Sequence, residues 1–291
     1  MSSSVKTQSR DKTGKIFLNI RRAFCYLFLI LITAISIFPF WILLVNATRP
    51  HAEILAGINL WFGQSLGNNI NAMLHNDFPV YSALLNSFVV AACVTFLTTY
   101  FSSMTAYGIH AYTFKLKKFS FAFILMVLMI PAQVSAAGFL KEMGTFGLMN
   151  TFWPLILPAI AAPTTVFFMR QYMQGALPLE IVEAARIDGG NEFYNFNKIV
   201  LPILKPAMAV QAIFAFIATW NNYFMPAMII NSTEKKTVPI VIAAMRGSDY
   251  MNQNFGMVYA TLAVSVFPLI IVYLFFSKFI IRGVALGSVK G

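Results

Sequence analysis

An all-α integral membrane protein with six transmembrane helices is the fold this sequence predicts, on three observations. The 291-residue chain is 58% hydrophobic and only 11% charged, against about 25% charged residues in a soluble domain. Six apolar stretches, 24–46, 84–109, 119–140, 151–169, 206–230 and 257–277, contain no Asp, Glu, Lys or Arg. Each is close to the ~20 apolar residues that ~30 Å of hydrocarbon demands. Third, Lys and Arg are shared unequally between alternate loops, which is the signal for orientation.

Residues 1–22 form a basic N-terminal tail carrying Lys6, Arg10, Lys12, Lys15, Arg21 and Arg22, and its polar stretch 2–15 predicts disorder. The apolar run after it is too long for a signal peptide and lacks a small-residue cleavage site, so it reads as an uncleaved first span. The uncharged but Asn-rich segment Ile54–Asn76 is too polar for a span and predicts an external loop. Spans two to six come next, and the six-span region is bounded at 23–281, leaving 282–291 as a C-terminal tail.

Orientation comes from counting. The N-terminal tail, the loop after span two (Lys115, Lys117, Lys118), the loop after span four (Arg170, Arg186, Lys198, Lys205) and the C-terminal end (Lys278, Arg282, Lys290) hold sixteen Lys and Arg. The other side holds five: Arg49, Lys141, Lys235, Lys236 and Arg246. The asymmetry predicts cytoplasmic termini and a cytoplasmic 170–205 loop. It also accounts for the net charge of +11 without a nucleic-acid partner. Cys25 and Cys93 lie in apolar spans and read as packing residues, not a disulfide. Spans three, four and six contain Pro131, then Pro154, Pro158 and Pro163, then Pro268. Such breaks mark either a lined cavity or the general tolerance of membrane helices for proline.

Between spans four and five, residues 177–202 are polar and charged. Pro178 suits a first helical turn, with Glu180 and Glu183 near the positive end of the helix dipole. Gly189 and Gly190 provide a left-handed stop. Asn191 is placed to cap a second short helix, and Pro202 to end it and turn the chain into span five. Ala184 and Ala185 leave the backbone open to a partner, while Glu183 and Arg186 offer charge for docking.

The same residues keep the spacing E-A-A, three residues, G, nine residues, I-x-L-P, filled by Glu183, Ala184, Ala185, Gly189, Ile199, Leu201 and Pro202. This resembles the "EAA loop" of the membrane subunits of bacterial binding-protein-dependent ABC importers. LLNSFVV (Leu84–Val90), WNNYFMPAMI (Trp220–Ile229) and the terminal FFSKFIIRGVALGSVKG (Phe275–Gly291) are similar to the carbohydrate-uptake branch, in particular the six-span subunit of maltose-type permeases. Ser288 stands where such tails usually have alanine.

The resemblance implies a type I ABC importer permease fold in the bacterial inner membrane, with no enzymatic centre. It further implies a second permease subunit that differs from this one and forms a heterodimer with it, two ATPase subunits that bind ATP and Mg, and an extracellular solute-binding protein. No cofactor is expected on this chain. Glu183, Ala184, Ala185, Arg186, Asp188, Gly189 and Gly190 become the ATPase-coupling residues. Arg282, Gly287 and Lys290 become an ATPase-contacting tail, the other reading being a frayed terminus. The last external loop, about 230–256, becomes either a rim for the binding protein or a solvated loop.

Within the spans, Asn86, Gln133, Ser135, Thr219, Asn221 and Asn222 carry groups that bond hydroxyls, and Trp220 and Tyr223 carry rings that stack on a sugar. Helix–helix bonding is the other use of such residues. A secondary transporter is the competing class, as is a permease of this type for a non-sugar solute. The spans hold none of the acids that ion coupling usually employs. His51, His75 and His110 supply no catalytic constellation, and no G-x-x-x-x-G-K-[ST] occurs, so ATP chemistry belongs to a partner.

Overall fold

The computed structural model describes the backbone of residues 3–248 and 253–287, and the side chains of 18–248 and 253–279 apart from residue 132. The described residues contain helices and turns and no strand. Two compact units divide the chain. The first ends at Ala72 and takes in the later stretch up to Ala263; the second holds Met73 onward and the chain from Val264.

In the first unit, helix α1 (Ser3–Ala47) already begins at Ser3, where the composition predicts disorder. Once an apolar run has nucleated a helix, each added residue gains a bond at little further cost. No proline interrupts α1 before Pro39. Its side chains from Leu18 to Phe40 all face outward, Cys25 among them.

The segment expected as an external loop is partly helical, with α2 (His51–Leu55) and α3 (Leu66–Leu74). Buried Asn69 explains its order: its Nδ2 donates to the carbonyls of Ala47 and Arg49, both at 2.9 Å. Arg49 in turn donates through Nε and Nη2 to the Trp61 carbonyl, at 3.0 and 2.7 Å.

The second unit is organised on α4 (Val80–Ala111). Its buried face contains Ala91, Ser102, Ser103 and Ala106, all with no exposed surface, and small residues let neighbouring backbones approach. Against it pack α8 (Pro163–Ala176) and α11 (Leu201–Trp220). Cys93, on the outward side of α4, is a free thiol outside this packing.

A neighbour compensates for the proline that opens α8. Pro163 has no N–H to give the carbonyl four residues back, that of Ala159. The Thr98 hydroxyl donates to this carbonyl at 3.2 Å. Before α8 the chain makes only α7 (Trp153–Ile156) and a 3₁₀ turn (Leu157–Ile160).

The predicted third span is not one helix. It divides into α5 (Lys117–Val127) and α6 (Ala132–Thr145), separated at residues 128–131. Pro131 occupies the position ahead of α6, and a proline disfavours helical geometry in the residue before it. Span five also differs. The helix stops at Trp220, and Phe224–Ile229 form a separate α12. Beyond it lie α13 (Val238–Arg246) and α14 (Phe255–Gly287). Among the described residues, five helical stretches are long and apolar enough to cross a membrane: Leu18–Ala47, Val80–Ala111, Trp153–Ala176, Glu192–Trp220 and Phe255–Phe279.

The main core of the second unit joins Ala106, Tyr107 and Ile109 of α4 to Val166, Met169 and Met173 of α8 and to Val200 and Leu204. Met169 is fully buried at its centre. Met169→Ala is expected to lose about 2–5 kcal/mol through the cavity it leaves. A lowered unfolding temperature of the detergent-solubilised protein would record this, while the outward-facing Phe168→Ala should leave it nearly unchanged.

Candidate functional site

The loop between α8 and α11 is a helix, a glycine turn and a helix, as its sequence predicts. Helix α9 (Leu179–Ile187) starts just after Pro178 and ends at Asp188. Gly189 takes φ +82°, a left-handed conformation that costs other residues roughly 1–2 kcal/mol. Its N–H bonds the Arg186 carbonyl at 3.1 Å, and that of Gly190 bonds the Ala185 carbonyl at 3.0 Å. This pair of bonds is the Schellman closure.

The two glycines are there for different reasons. A Cβ on Gly189 would meet open space, so only the backbone requires glycine. A Cβ on Gly190 would collide with the Asn195 side chain and lie 2.9 Å from the Ala185 carbonyl. The Asn191 side chain accepts from the Tyr194 N–H at 2.8 Å and caps α10 (Glu192–Tyr194).

Pro202 does not end this second helix, contrary to the sequence expectation. A π turn over Asn195–Val200 joins α10 to α11, so helix runs without interruption from Glu192 to Trp220. A proline in an α-helix collides with the carbonyl four residues earlier. The wider π turn just before Pro202 changes the position of that carbonyl.

The inner side of the loop belongs to the core. Val182 is 1% exposed and Ala185 lies one turn further on the same face. Phe196 is buried and meets the rings of Tyr100 and Tyr107 at centroid distances of 5.7 and 5.6 Å. Buried Asn195 donates to the Gly190 carbonyl at 3.0 Å, tying the π turn to the glycine turn.

Charge completes the connection. Arg186 Nε donates to Glu192 Oε1 at 2.7 Å, and the Tyr107 hydroxyl donates to Glu192 Oε2 at 3.0 Å. The Arg186 guanidinium also stands 4.9 Å from the centre of the Tyr112 ring. The hydrogen bond to Glu192 pushes the Arg186 pKa above its ordinary value, so the pair stays ionised. Arg186 is therefore an internal tie as well as a charge offered for docking, since a third of its side chain stays exposed. Ala185 likewise faces inward, and only Ala184 is open to a partner.

Glu183, Ala184, Asp188 and Gly189 face outward, and among the exposed apolar residues of the loop two that the sequence-based expectation does not name stand furthest out. Ile187 is 85% exposed and Phe193 70% exposed. A signal for Ile187 exists: it lies five residues past Val182, about 140° round the helix from the buried stripe at ~100° per residue. An apolar residue there has no place in the core.

The other predicted positions do not form one site. Asn86 donates to the carbonyls of Glu234 and Lys236 at 2.7 and 3.1 Å, which fixes the approach to α13. Trp220 is buried and stacked on Phe216. Gln133 is exposed on α6, and Asn221 and Tyr223 are exposed in the short link between α11 and α12. Asn222, with Ser135 and Thr219, borders a cavity.

Nine residues of the expected external loop, about 230–256, form α13, which buries Val238, Val241 and Met245. Asn150 holds its beginning by accepting from the backbone N–H groups of Asn231 and Ser232 at 3.1 and 3.0 Å. At the C-terminus, Arg282 and Gly287 belong to the last part of α14 and not to an irregular tail. Asp249 and Lys290 lie outside the described residues.

The family described as binding-protein-dependent transport system inner membrane component matches residues 101–286. The arabinooligosaccharides transport system permease protein AraQ of Bacillus subtilis is 34% identical over 91% of this chain and 94% of its own. The lactose transport system permease protein LacG of Rhizobium radiobacter is 31% identical over 91% and 95%. The sn-glycerol-3-phosphate transport system permease protein UgpE of Yersinia pestis is 30% identical over 89% and 94%. The crystal structure of a bacterial ABC transporter involved in the import of the acidic polysaccharide alginate shares the fold, with a TM-score of 0.74 at 18% identity, over 91% of this chain and 97% of that one. The chain belongs to the family of binding-protein-dependent transport system inner membrane components. It is a multi-pass ABC transporter permease of the bacterial plasma membrane.

Two glycine substitutions separate the roles in the loop. Gly189→Asn should be tolerated, because asparagine enters the left-handed region with little strain. Gly190→Ala should displace Asn195 and loosen the Schellman turn. Loss of ~1–2 kcal/mol of local stability raises the open population roughly 5- to 30-fold. Limited trypsin cleavage after Arg186 should rise by that order in Gly190→Ala and stay near the wild-type rate in Gly189→Asn.

Proposed function

We propose that the chain is one of two membrane subunits of an ATP-driven sugar importer and that the 177–202 loop receives the force of ATP hydrolysis from a partner ATPase. The observation that carries this reading is the loop itself. It is closed by a Schellman turn, fixed inwardly through Val182, Phe196 and the Arg186–Glu192 pair, and presents exposed Ile187 and Phe193 beside Glu183, Ala184 and Asp188. A knob this rigid, with an apolar tip, suits a groove on another protein, since exposed apolar clusters mark interaction surfaces.

The ATPase pair binds ATP and Mg, and this subunit carries no catalytic group or cofactor of its own. Arg282, Gly287 and Lys290 touch the ATPase pair at the C-terminal end. A solute-binding protein delivers the solute on the opposite side, and a different second permease completes the pathway. Carbohydrate is the solute class because the arabinooligosaccharide and lactose permeases are among the relatives that match along nearly the whole chain. The glycerol-phosphate permease supports the second reading, a small polar solute other than a sugar.

In this reading α5 and α6 together form the third of six crossings, broken at Pro131, and both termini are cytoplasmic. Single cysteines in a background with Cys25 and Cys93 replaced by alanine test the topology. An impermeant thiol reagent on intact cells should modify Ser65→Cys and Thr233→Cys and spare Lys6→Cys and Asp188→Cys. Labelling at position 188 from outside would overturn the orientation.

Coupling has its own test. Ile187→Asp should leave the protein in the membrane and lower uptake at least tenfold, because the apolar tip no longer enters the groove. Co-purification of the ATPase should fall with it. Glu183→Ala should have a smaller effect, since one exposed charged contact contributes at most about 1 kcal/mol. Full uptake by Ile187→Asp would remove the knob-and-groove account.

A further inference from the structure

Between α4, α11 and α14 runs an apolar groove of about 510 Å³, built from residues of the second unit alone. The backbone of α14 makes few close approaches to α4 or α11, and the groove is the space left between them. Phe88, Phe96, Phe216, Phe275, Phe276 and Phe279 supply its rings, while Ala92, Ala209 and Ala212 give it depth. It shares no residue with the 177–202 loop or with the cavity that Asn222 borders.

The two ends of the groove differ. Phe88 meets Phe216 at a centroid distance of 6.2 Å and Tyr100 meets Phe196 at 5.7 Å, so α4 and α11 run antiparallel. Lys205 therefore lines the end nearer the loop, opposite the Phe88–Phe216 end. The walls extend from Phe88 to Thr99 on α4 and from Lys205 to Phe216 on α11, ~17 Å in each case at ~1.5 Å per residue. One leaflet of hydrocarbon is ~15 Å, half of the ~30 Å core. The groove thus has the length of one acyl chain in one leaflet.

Its polar groups are few and unpaired. Among the described residues Lys205 is the one charged residue that lines the groove, and it is exposed. The Lys278 ammonium stands 5.4 and 5.1 Å from the ring centres of Phe275 and Phe279. No Asp or Glu of the described residues forms an ion pair with either lysine. Within the groove, one helical turn further in than Thr99, Thr95 Oγ1 is buried and has no hydrogen-bond partner. A buried hydroxyl in that state is the exception in proteins. Apolar outer walls are general in membrane proteins and meet any lipid. The concave shape, the two lysines and the unpartnered hydroxyl are what this groove adds.

We propose that the groove binds one anionic phospholipid. An acyl chain lies along the phenylalanines and fills the gap beside α14. Thr95 Oγ1 donates to a glycerol ester carbonyl, and the phosphodiester is held by Lys205 and Lys278. Basic pockets between spans on the cytoplasmic side suit anionic head groups. A zwitterionic lipid would bring its own ammonium towards the two lysines. The inner leaflet rests on the orientation proposed above, and the binding measured below does not depend on it.

The whole importer, purified in detergent with its partner subunits, is titrated with phosphatidylglycerol and separately with phosphatidylethanolamine, and bound lipid is counted by native mass spectrometry. One saturable phosphatidylglycerol should bind at least about fivefold more tightly than phosphatidylethanolamine. Lys205→Gln should weaken it about fivefold, and Lys205→Gln with Lys278→Gln roughly 25-fold. Lys205→Arg should retain it, and Lys118→Gln, on α5 and outside the groove, should leave it unchanged. Equal affinity for the two lipids, or wild-type affinity in the double variant, overturns the site.

A second measurement identifies the occupant in cells. A photoreactive benzoylphenylalanine replaces Phe96, a wall residue that is 64% exposed. On irradiation the peptide that contains it should gain the mass of phosphatidylglycerol. Cross-linking to another protein subunit instead would show that a helix covers the groove, and would overturn the lipid site. Labelling of Asp188→Cys from outside would overturn the leaflet assignment alone and leave these binding results standing.

Discussion

The burial of Val182 and Phe196 in the core that also holds Tyr107 is the constraint on which the second unit depends. It places a surface loop inside the same core that holds α4, α8 and α11 together. A loop attached only at its two ends would absorb a push by bending. This one has core side chains on both of its helices and an ion pair across the turn, so displacement of α9 must move residues of α4 as well. Packed interiors transmit strain because they have little free volume. The functional requirement on the loop is thus met by ordinary packing, and its specialised residues, Gly189 and Gly190, serve to close the turn that brings Arg186 to Glu192.

An apolar environment constrains every interrupted helix. Each break releases backbone groups that lipid cannot satisfy. Thr98 supplies a hydroxyl to the carbonyl that Pro163 leaves free, and Ser87 supplies one to the start of α13. Both come from α4, whose Ser102 likewise donates to the Ala162 carbonyl at 3.4 Å, while Thr99 and Ser103 bond carbonyls of their own helix. At Thr237 the hydroxyl is left over, which distinguishes it from Thr98 and Ser87.

Much of this architecture is legible in the sequence, and the remainder is hidden for identifiable reasons. The glycine turn, the Asn191 cap and the positions of α1, α4 and α14 come from local rules that operate within a few residues. The division of the third apolar stretch escapes hydropathy because hydropathy averages over a window and Pro131 is only one residue of it. Pro202 misleads because the rule that proline ends helices assumes α geometry, and the chain uses a π turn. Arg186 reads as outward because its partner Glu192 becomes a neighbour only after the turn closes. Trp220 and Asn86 are typical sugar-binding residue types, yet neighbours in space claim both, and no spacing rule reports neighbours in space.

The π turn at Asn195–Val200 has a geometric consequence. Such a turn contains more residues per revolution than the α-helix around it, so it sets an angular offset between the helix before it and the helix after it. Removing one residue there would let the segment relax to α form and rotate α11 by about 100° relative to the loop. Phe216 and Trp220 would then face where other residues face now, while Ile187 kept its place. The segment works as the index mark between two parts of a shaft: it decides which side of α11 turns toward the bundle when α9 is pushed.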